Sequence, residues 1–167
     1  MRMILIACVA GLALTVPISG CGGSSGDSAA QQAQQEQADK YAIDQIERTW
    51  HKASSTKNVD LMMTLWAPDA TFNNGTDTLT GKAEIRNFFT TKAGPFQPGN
   101  HWLSDTPAYK IRTTVNGDKG TLYFECHYVD VETGKVVSVV GADQNVQKIN
   151  GRWLITSLAA ATPTLSP

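Results

Sequence analysis

The pattern of apolar positions divides the chain into a helical first half and a strand-rich second half. Over residues 42–53, apolar side chains recur at three- and four-residue spacing, which predicts a helix with one buried stripe. Asn58 is placed to cap the start of a second, shorter helix, which Pro68 is expected to stop. A third helix is predicted to begin at Gly81 and to end at Gly94.

Four strand-like runs dominate the second half, and turn signals separate them. The third run is long for a single strand, and Gly141 in its middle predicts a bulge or a sharp bend. Helices first and a meander of strands afterwards predict an α+β fold, with the helices packed on one face of a strongly curved antiparallel sheet. The runs are residues 101–115, 120–131, 135–149 and 152–159, with turns at Asn116-Gly117, Thr133-Gly134 and Asn150-Gly151, and a shorter strand is predicted at residues 70–73.

The first residues have the organisation of an export signal with a lipid attachment site. Met1-Arg2-Met3 supplies a positive charge, and residues 4–18 form an uncharged apolar stretch. That stretch is shorter than the roughly 20 residues a helix needs to span a bilayer, which favours a cleaved signal peptide. Ile18-Ser19-Gly20-Cys21 matches a lipobox, so Cys21 is the predicted lipidation site and the first mature residue. Ordinary signal cleavage that leaves a free Cys21 thiol is the alternative.

This signal predicts both a location and a division of the chain. The protein is expected outside the cytoplasm, anchored by acyl chains such as palmitate to the bacterial cell membrane, or to the outer membrane in a host with two membranes. Two or more acyl chains anchor a protein stably, whereas one binds only marginally. The predicted division is residues 1–20 as signal peptide, 21–40 as a tether that is helix-prone toward its end, 41–160 as one domain and 161–167 as a loose tail.

Charge and cysteine content narrow the function classes. Removing Arg2 with the signal leaves 13 basic residues against 15 acidic ones, which argues against a nucleic-acid-binding footprint. Cys126 is then the one cysteine beyond the anchor, so no intrachain disulfide is expected, and its apolar strand neighbours favour an inert thiol. The three histidines do not have metal-ligand spacing, so no metal site is predicted. His51 is expected at the surface.

Several segments together resemble the SnoaL-like branch of the nuclear-transport-factor-2-like superfamily. They are residues 61–72, residues 80–89, His101 at the start of the first long strand, and residues 150–155. The resemblance covers most of residues 41–160 and implies a cone-shaped sheet wrapped on three helices around a pocket. Family members include polyketide cyclases, isomerases and dehydratases, together with non-catalytic binding domains, so this fold does not by itself define a function. No cofactor is predicted, since soluble cofactors such as nicotinamides are not expected at the predicted location.

Asp143, His127 and His101 are the candidate catalytic residues. Asp143 matches the position where some SnoaL-like enzymes carry an acid/base aspartate, and His101 matches a histidine often found where the chain enters the sheet. If the turn centres on Thr133, antiparallel pairing places Tyr123 opposite Asp143 and His127 opposite Val139, and one face could then serve proton transfer. Strand alternation favours a simpler interpretation, in which Glu125 and His127 lie on the outer face, in solvent or in a dimer contact. The opposite face of this strand is apolar and is expected in the core; it carries Leu122, Phe124, Cys126 and Tyr128.

The aromatic residues predict an apolar pocket. Phe88, Phe89 and Trp153 are expected in the core, while other side chains are candidate ligand contacts. These candidates are Trp66, Phe72, His101, Trp102 and Tyr123.

Three functional hypotheses remain open at this point. The leading one is a membrane-anchored SnoaL-like domain that binds a small apolar ligand or an envelope partner without catalysis. The second is an isomerase-, dehydratase- or cyclase-like enzyme that uses the Asp and His candidates. The third is an interaction domain that forms a homodimer through the sheet face.

Overall fold

The computed structural model describes residues 25–163. The predicted signal peptide, the lipidation site Cys21 and residues 164–167 of the predicted tail lie outside these described residues. Within them, no helix is both long and apolar enough to cross a membrane. The predicted boundaries at residues 40/41 and 160/161 fall inside regular elements, because the first helix and the last strand continue through them.

Three α-helices precede most of the sheet. Helix α1 spans Ser25–Ser55, α2 spans Val59–Met63 and α3 spans Gly81–Thr91. Asn58 caps α2 as predicted, since its Oδ1 accepts a hydrogen bond from the backbone N–H of Leu61 at 2.8 Å. The described side chains of α1 are exposed up to residue 38, and packing on the domain begins at Asp39.

The described strands form one sheet of seven. The strands are β1 Trp66–Asn73, β2 Thr78–Thr80, β3 Trp102–Asp105, β4 Ile111–Asn116, β5 Lys119–Asp130, β6 Lys135–Ile149 and β7 Arg152–Ala161. Their order in the sheet is β2-β1-β7-β6-β5-β3, and β4 pairs with the remaining length of β5. The α+β class and the packing of helices on a curved sheet are confirmed, but the sheet is mixed, because β1 runs parallel to β7.

Pro68 lies within a strand rather than at the end of a helix. Helix α2 already ends at Met63, and β1 begins at Trp66, so the strand predicted for residues 70–73 is twice as long as expected. The pairing of β1 with β7 is irregular between Trp66 and Thr71. A strand can accept a proline at such an irregularity, because no ladder hydrogen bond is required from its missing N–H.

The predicted bulge at Gly141 is wrong. Strand β6 is continuous at this position. The register of its pairing with β5 shifts next to Tyr128, and the register of its pairing with β7 shifts next to Val146. Position 141 leaves little space for a side chain. A Cβ atom there would come within 3.0 Å of the Ala161 carbonyl oxygen and 3.1 Å of the Tyr123 hydroxyl.

A buried carboxylate attaches α1 to the far end of the sheet. Asp39 accepts hydrogen bonds from Lys148 Nζ at 2.6 Å and from Trp153 Nε1 at 2.9 Å. Burial raises the pKa of the Asp39 carboxyl, but the hydrogen bonds from Lys148, Trp153 and Gln35 outweigh burial and lower that pKa overall. The start of the domain is therefore held by a charged contact as well as by apolar packing.

His51 is buried, which corrects its predicted surface position. Its Nε2 lies 3.0 Å from Glu47 Oε1 and 2.5 Å from Thr106 Oγ1, while Nδ1 lies 2.5 Å from Ser104 Oγ. The Thr106 hydroxyl already donates to the Glu125 carbonyl, so it accepts its hydrogen bond from His51. The histidine thus links α1 to β3 and the loop after it.

Candidate functional site

An apolar cavity of about 380 Å³ lies between the sheet and the helices. Aromatic rings from α1, β1, α3, β3, β5 and the 3-10 helix Gly94–Phe96 form most of its wall. Many of these rings pack edge to face, which is the favoured arrangement of aromatic pairs. Phe72 and Phe88 have ring centroids 5.2 Å apart, as do Phe89 and Phe96. The aromatic wall consists of Trp50, Phe72, Phe88, Phe89, Phe96, Trp102 and Tyr128.

Small residues on β6 and β7 leave the space that the rings surround. Ala142 and Ala160 are paired across the two strands, and both line the cavity. Their neighbours on the same face include Ser138 on β6 and Leu158 on β7. Because a methyl group fills little volume, this row of the sheet leaves a gap beneath the helices.

The loop at the rim of the cavity is held by hydrogen bonds to its backbone. Lys57 Nζ donates to the carbonyl oxygens of Gln97 at 2.8 Å, of Pro98 at 3.3 Å and of Asn100. The Asn100 side chain donates to the Gly94 carbonyl. These hydrogen bonds hold residues 94–100 close to the end of α1. Gly94 and Trp102 remain partly exposed beside the cavity.

The cavity wall carries no permanent charge. Among its described lining residues there is no Asp, Glu, His, Lys or Arg, and the titratable groups are Cys126 and Tyr128. Burial raises the pKa of the Cys126 thiol to about 12 and holds the pKa of the Tyr128 hydroxyl well above its ordinary value. Both groups are therefore neutral at physiological pH, and the wall can form only neutral hydrogen bonds.

The family model described as SnoaL-like domain matches residues 47–153, which is more than half of the chain. The chain belongs to this family. None of the curated proteins compared with the SnoaL-like chain matches it.

Solved structures with the same fold share little sequence with this SnoaL-like domain. A nuclear transport factor 2-like protein with a cystatin-like fold from Novosphingobium aromaticivorans has a TM-score of 0.68 at 15% identity and covers 86% of this chain and 93% of its own. A candidate dehydratase from Streptomyces avermitilis has a TM-score of 0.62 at 15% identity, with coverages of 78% and 99%. A candidate ketosteroid isomerase from Shewanella frigidimarina has a TM-score of 0.58 at 16% identity, with coverages of 72% and 94%. At these identities the likeness shows the fold alone.

The structure places two of the five predicted ligand contacts on the cavity wall. Phe72 and Trp102 line the cavity. Trp66 is fully buried behind them, with its ring centroid 5.7 Å from that of Phe72, so it supports the wall without forming it. His101 precedes β3, and its side chain is 58% exposed and contacts Glu132 at 2.7 Å. Tyr123 points to the opposite face of the sheet, where its hydroxyl donates to Glu125 Oε1 at 3.0 Å.

None of the three catalytic candidates lines the cavity. The predicted pairing of Tyr123 with Asp143 and of His127 with Val139 is confirmed. Since Leu122, Phe124, Cys126 and Tyr128 occupy the core face of β5, this pairing puts Asp143 and His127 on the outer face. Asp143 is exposed there, and His101 lies just before the start of β3, so the structure does not bring the three together around the cavity.

The outer face of β5 holds a buried ion pair. Glu125 is 0% exposed, although strand alternation suggested that it lies in solvent or in a dimer contact. The 3-10 helix Ala108–Lys110 brings Lys110 Nζ to 2.5 Å from Glu125 Oε2, and His127 Nε2 lies 3.5 Å from the same oxygen. A buried carboxylate needs such partners to remain charged. The described residues contain no cluster of three or more His, Cys, Asp or Glu side chains that could hold a metal ion.

Sequence reasoning missed the small residues that create the cavity. Ala142 and Ala160 carry no functional group, so a search for chemistry passes over them. The turn signal at Asn150-Gly151 is not enough to find them, because counting back along both strands from it would pair Ala142 with Ala159. The register of β6 and β7 shifts by one residue between Asn145 and Val146, and this shift brings Ala142 opposite Ala160. Phe88 and Phe89, which were expected in the core, form part of the wall as well.

Proposed function

We propose that this SnoaL-like domain binds a small, uncharged, apolar ligand in the cavity and does not act on it chemically. The uncharged wall carries this proposal. An ionised ligand group would lose its hydration there without gaining a counter-ion, which is costly, whereas an aromatic or aliphatic ligand would gain from leaving water. A volume of about 380 Å³ lies within the usual range of small-molecule pockets.

The enzymatic alternative has weaker support. Acid/base catalysis requires a titratable group within hydrogen-bond reach of the bound substrate. Asp143 and His127 lie on the other face of the sheet, and the buried Cys126 and Tyr128 hold their protons. The candidate dehydratase and ketosteroid isomerase share the fold, but 15–16% identity does not transfer an activity.

A matched pair of variants tests the binding site. Thermal-shift screening of uncharged aromatic and aliphatic compounds against the chain from residue 22 onward identifies a ligand. Ala160→Phe fills the cavity, whereas Ala159→Phe places the same ring on the exposed face of the same strand. We expect Ala160→Phe to weaken binding by at least about tenfold, roughly 1.4 kcal/mol or more, and Ala159→Phe to leave affinity unchanged.

Two results would contradict the binding function. One is the absence of stabilisation by any uncharged apolar compound. The other is equal binding to wild type and Ala160→Phe, provided that circular dichroism and thermal unfolding show the variant to be folded.

We also propose that the domain works at a membrane surface, anchored through Cys21. The lipobox sequence Ile18–Cys21 supports this location. Expression in bacteria with a palmitate analogue should label the wild-type protein and move it to the membrane fraction. Cys21→Ser should lose both properties, and labelling of Cys21→Ser equal to that of wild type would refute the anchor.

An apolar row on the outer sheet face supports self-association as a second candidate function. Leu103 and Val136 are 51% and 54% exposed, and Val129 lies between them in the paired strands. We propose that two copies meet through this row. Light scattering should give a dimer for wild type and a monomer for Val136→Lys, while a monomeric wild type at high concentration would exclude this arrangement.

A further inference from the structure

A second groove is separate from the apolar cavity, and the two share no lining residue. It has a volume of about 380 Å³ and is bounded by α2, the start of β1, α3 and the start of β7. Its apolar floor includes Met63, Trp66 and Leu154. Met63 and Trp66 are buried, so charges above them face a poorly hydrated surface on one side.

Three cationic side chains line this groove. Lys82 and Arg86 are one turn apart on α3, and Arg152 begins β7. Asp60 is the one acidic side chain among the described lining residues, and it forms an ion pair with Arg86 at 2.6 Å. Lys82 makes no ion pair within the described part of the chain, so the groove keeps an excess of positive charge.

The like charges lie close enough to affect one another. Burial lowers the pKa of the Lys82 ammonium group, and repulsion from Arg152 and Arg86 lowers it further. Like charges four residues apart on a helix also destabilise it slightly. The full chain carries a net charge of −1, so this cluster does not follow from an overall basic composition.

We propose that the groove formed by Lys82, Arg86 and Arg152 is a binding site for a phosphate group, either free or in a lipid headgroup. A guanidinium group presents paired N–H donors that match two phosphate oxygens, and an ammonium group adds a compact charge. A bound phosphate relieves the repulsion among the three cations. Both sources present the same chemistry, because inorganic phosphate and a phospholipid headgroup offer the same anionic oxygens.

Titration with inorganic phosphate tests the site in the chain from residue 22 onward, which contains all the described residues and lacks the anchor cysteine. Backbone amide NMR shifts give the affinity, with sodium chloride at matched ionic strength as the reference. We expect saturable shifts near Lys82 and Arg152. Arg152→Gln and Lys82→Gln should each weaken binding by about tenfold or more, since each removes a charged hydrogen-bond partner. Lys92→Gln, an exposed lysine just after α3, should bind as wild type does.

A second experiment, with lipid vesicles, distinguishes the two sources of phosphate. Flotation with phosphatidylglycerol vesicles, compared with phosphatidylcholine vesicles, measures headgroup binding by the same variants. Flotation that depends on Arg152 indicates a lipid headgroup, whereas Arg152-dependent shifts with inorganic phosphate alone indicate a free ligand. The proposal is overturned if neither the phosphate titration nor the flotation differs between wild type and Arg152→Gln. It is also overturned if phosphate acts no differently from chloride and the two kinds of vesicle bind the protein equally.

Discussion

At the scale of single residues, the cavity's chemistry depends on two side chains that keep their protons. Burial of Cys126 and Tyr128 raises the pKa of both groups, so neither becomes charged near neutral pH. Strand alternation in the sequence assigned both to the core face of β5 correctly. It could not show that they border a cavity, because that depends on small residues across two other strands.

Affinity for an uncharged cavity ligand should therefore be constant between about pH 7 and pH 9. An ordinary cysteine with a pKa of about 8.5 would ionise within this window and change the wall's charge. Isothermal titration calorimetry at three pH values measures the effect. A steady loss of affinity toward pH 9 would show that Cys126 titrates near its ordinary value.

Gln144 is a buried amide flanked by two leucines. Its exposed fraction is 3%, it lies between Leu122 and Leu158 in the paired strands, and neither of its amide atoms has a hydrogen-bond partner among the described residues. A buried polar group without a partner costs about 1–3 kcal/mol. Strand periodicity predicts that position 144 faces the core. It cannot predict that the amide at this position lacks a hydrogen-bond partner.

Gln144→Met should raise the free energy of unfolding by about 1–2 kcal/mol, because methionine has a similar shape and no hydrogen-bonding requirement. Gln147→Met, at a partly exposed site on the same strand, should change it by less than about 0.5 kcal/mol. Urea denaturation measures both. Destabilisation by Gln144→Met would mean that the amide is satisfied in solution.

At the scale of elements, the sequence predicts most helices and hairpins, and it fails where packing decides the outcome. The bounds predicted for β6, residues 135–149, agree with the structure, since turn signals flank it on both sides. Pro68 was expected to end a helix, but local rules cannot show the irregular parallel pairing of β1 with β7 that accepts it. The buried position of His51 also depends on a partner segment more than fifty residues away.

Asp39 should make the attachment of α1 dependent on pH. Its pKa is lowered in the folded protein, so its contribution to stability is complete above the unfolded value of about 3.9 and is lost as the pH falls through the folded value. Asp39→Asn should lower the free energy of unfolding by about 1–3 kcal/mol at neutral pH. The difference from wild type should shrink below about pH 4. Thermal unfolding at a series of pH values measures it, with the exposed Asp69→Asn as control; a constant difference down to pH 2 would contradict this role.

At the scale of the whole molecule, the order of motifs identified the family and the class of fold, but not the position of the site. The cross-strand partners of the candidate acid/base residues Asp143 and His127 were predicted correctly, but both residues face away from the cavity. The cavity arises where Ala142 and Ala160 meet beneath a cluster of rings from six elements. Such a gap is a property of packing between distant segments, which no local pattern records.

The central claim is that the apolar cavity, and not the polar outer face, is the ligand site of this SnoaL-like domain. Amide and methyl NMR of the protein with a saturating uncharged ligand tests it most directly. The account predicts shifts concentrated at Ala142, Leu158 and Ala160, with little change at Tyr123 and Asp143. Shifts centred on Tyr123, His127 and Asp143 would place the ligand on the outer face and contradict the account.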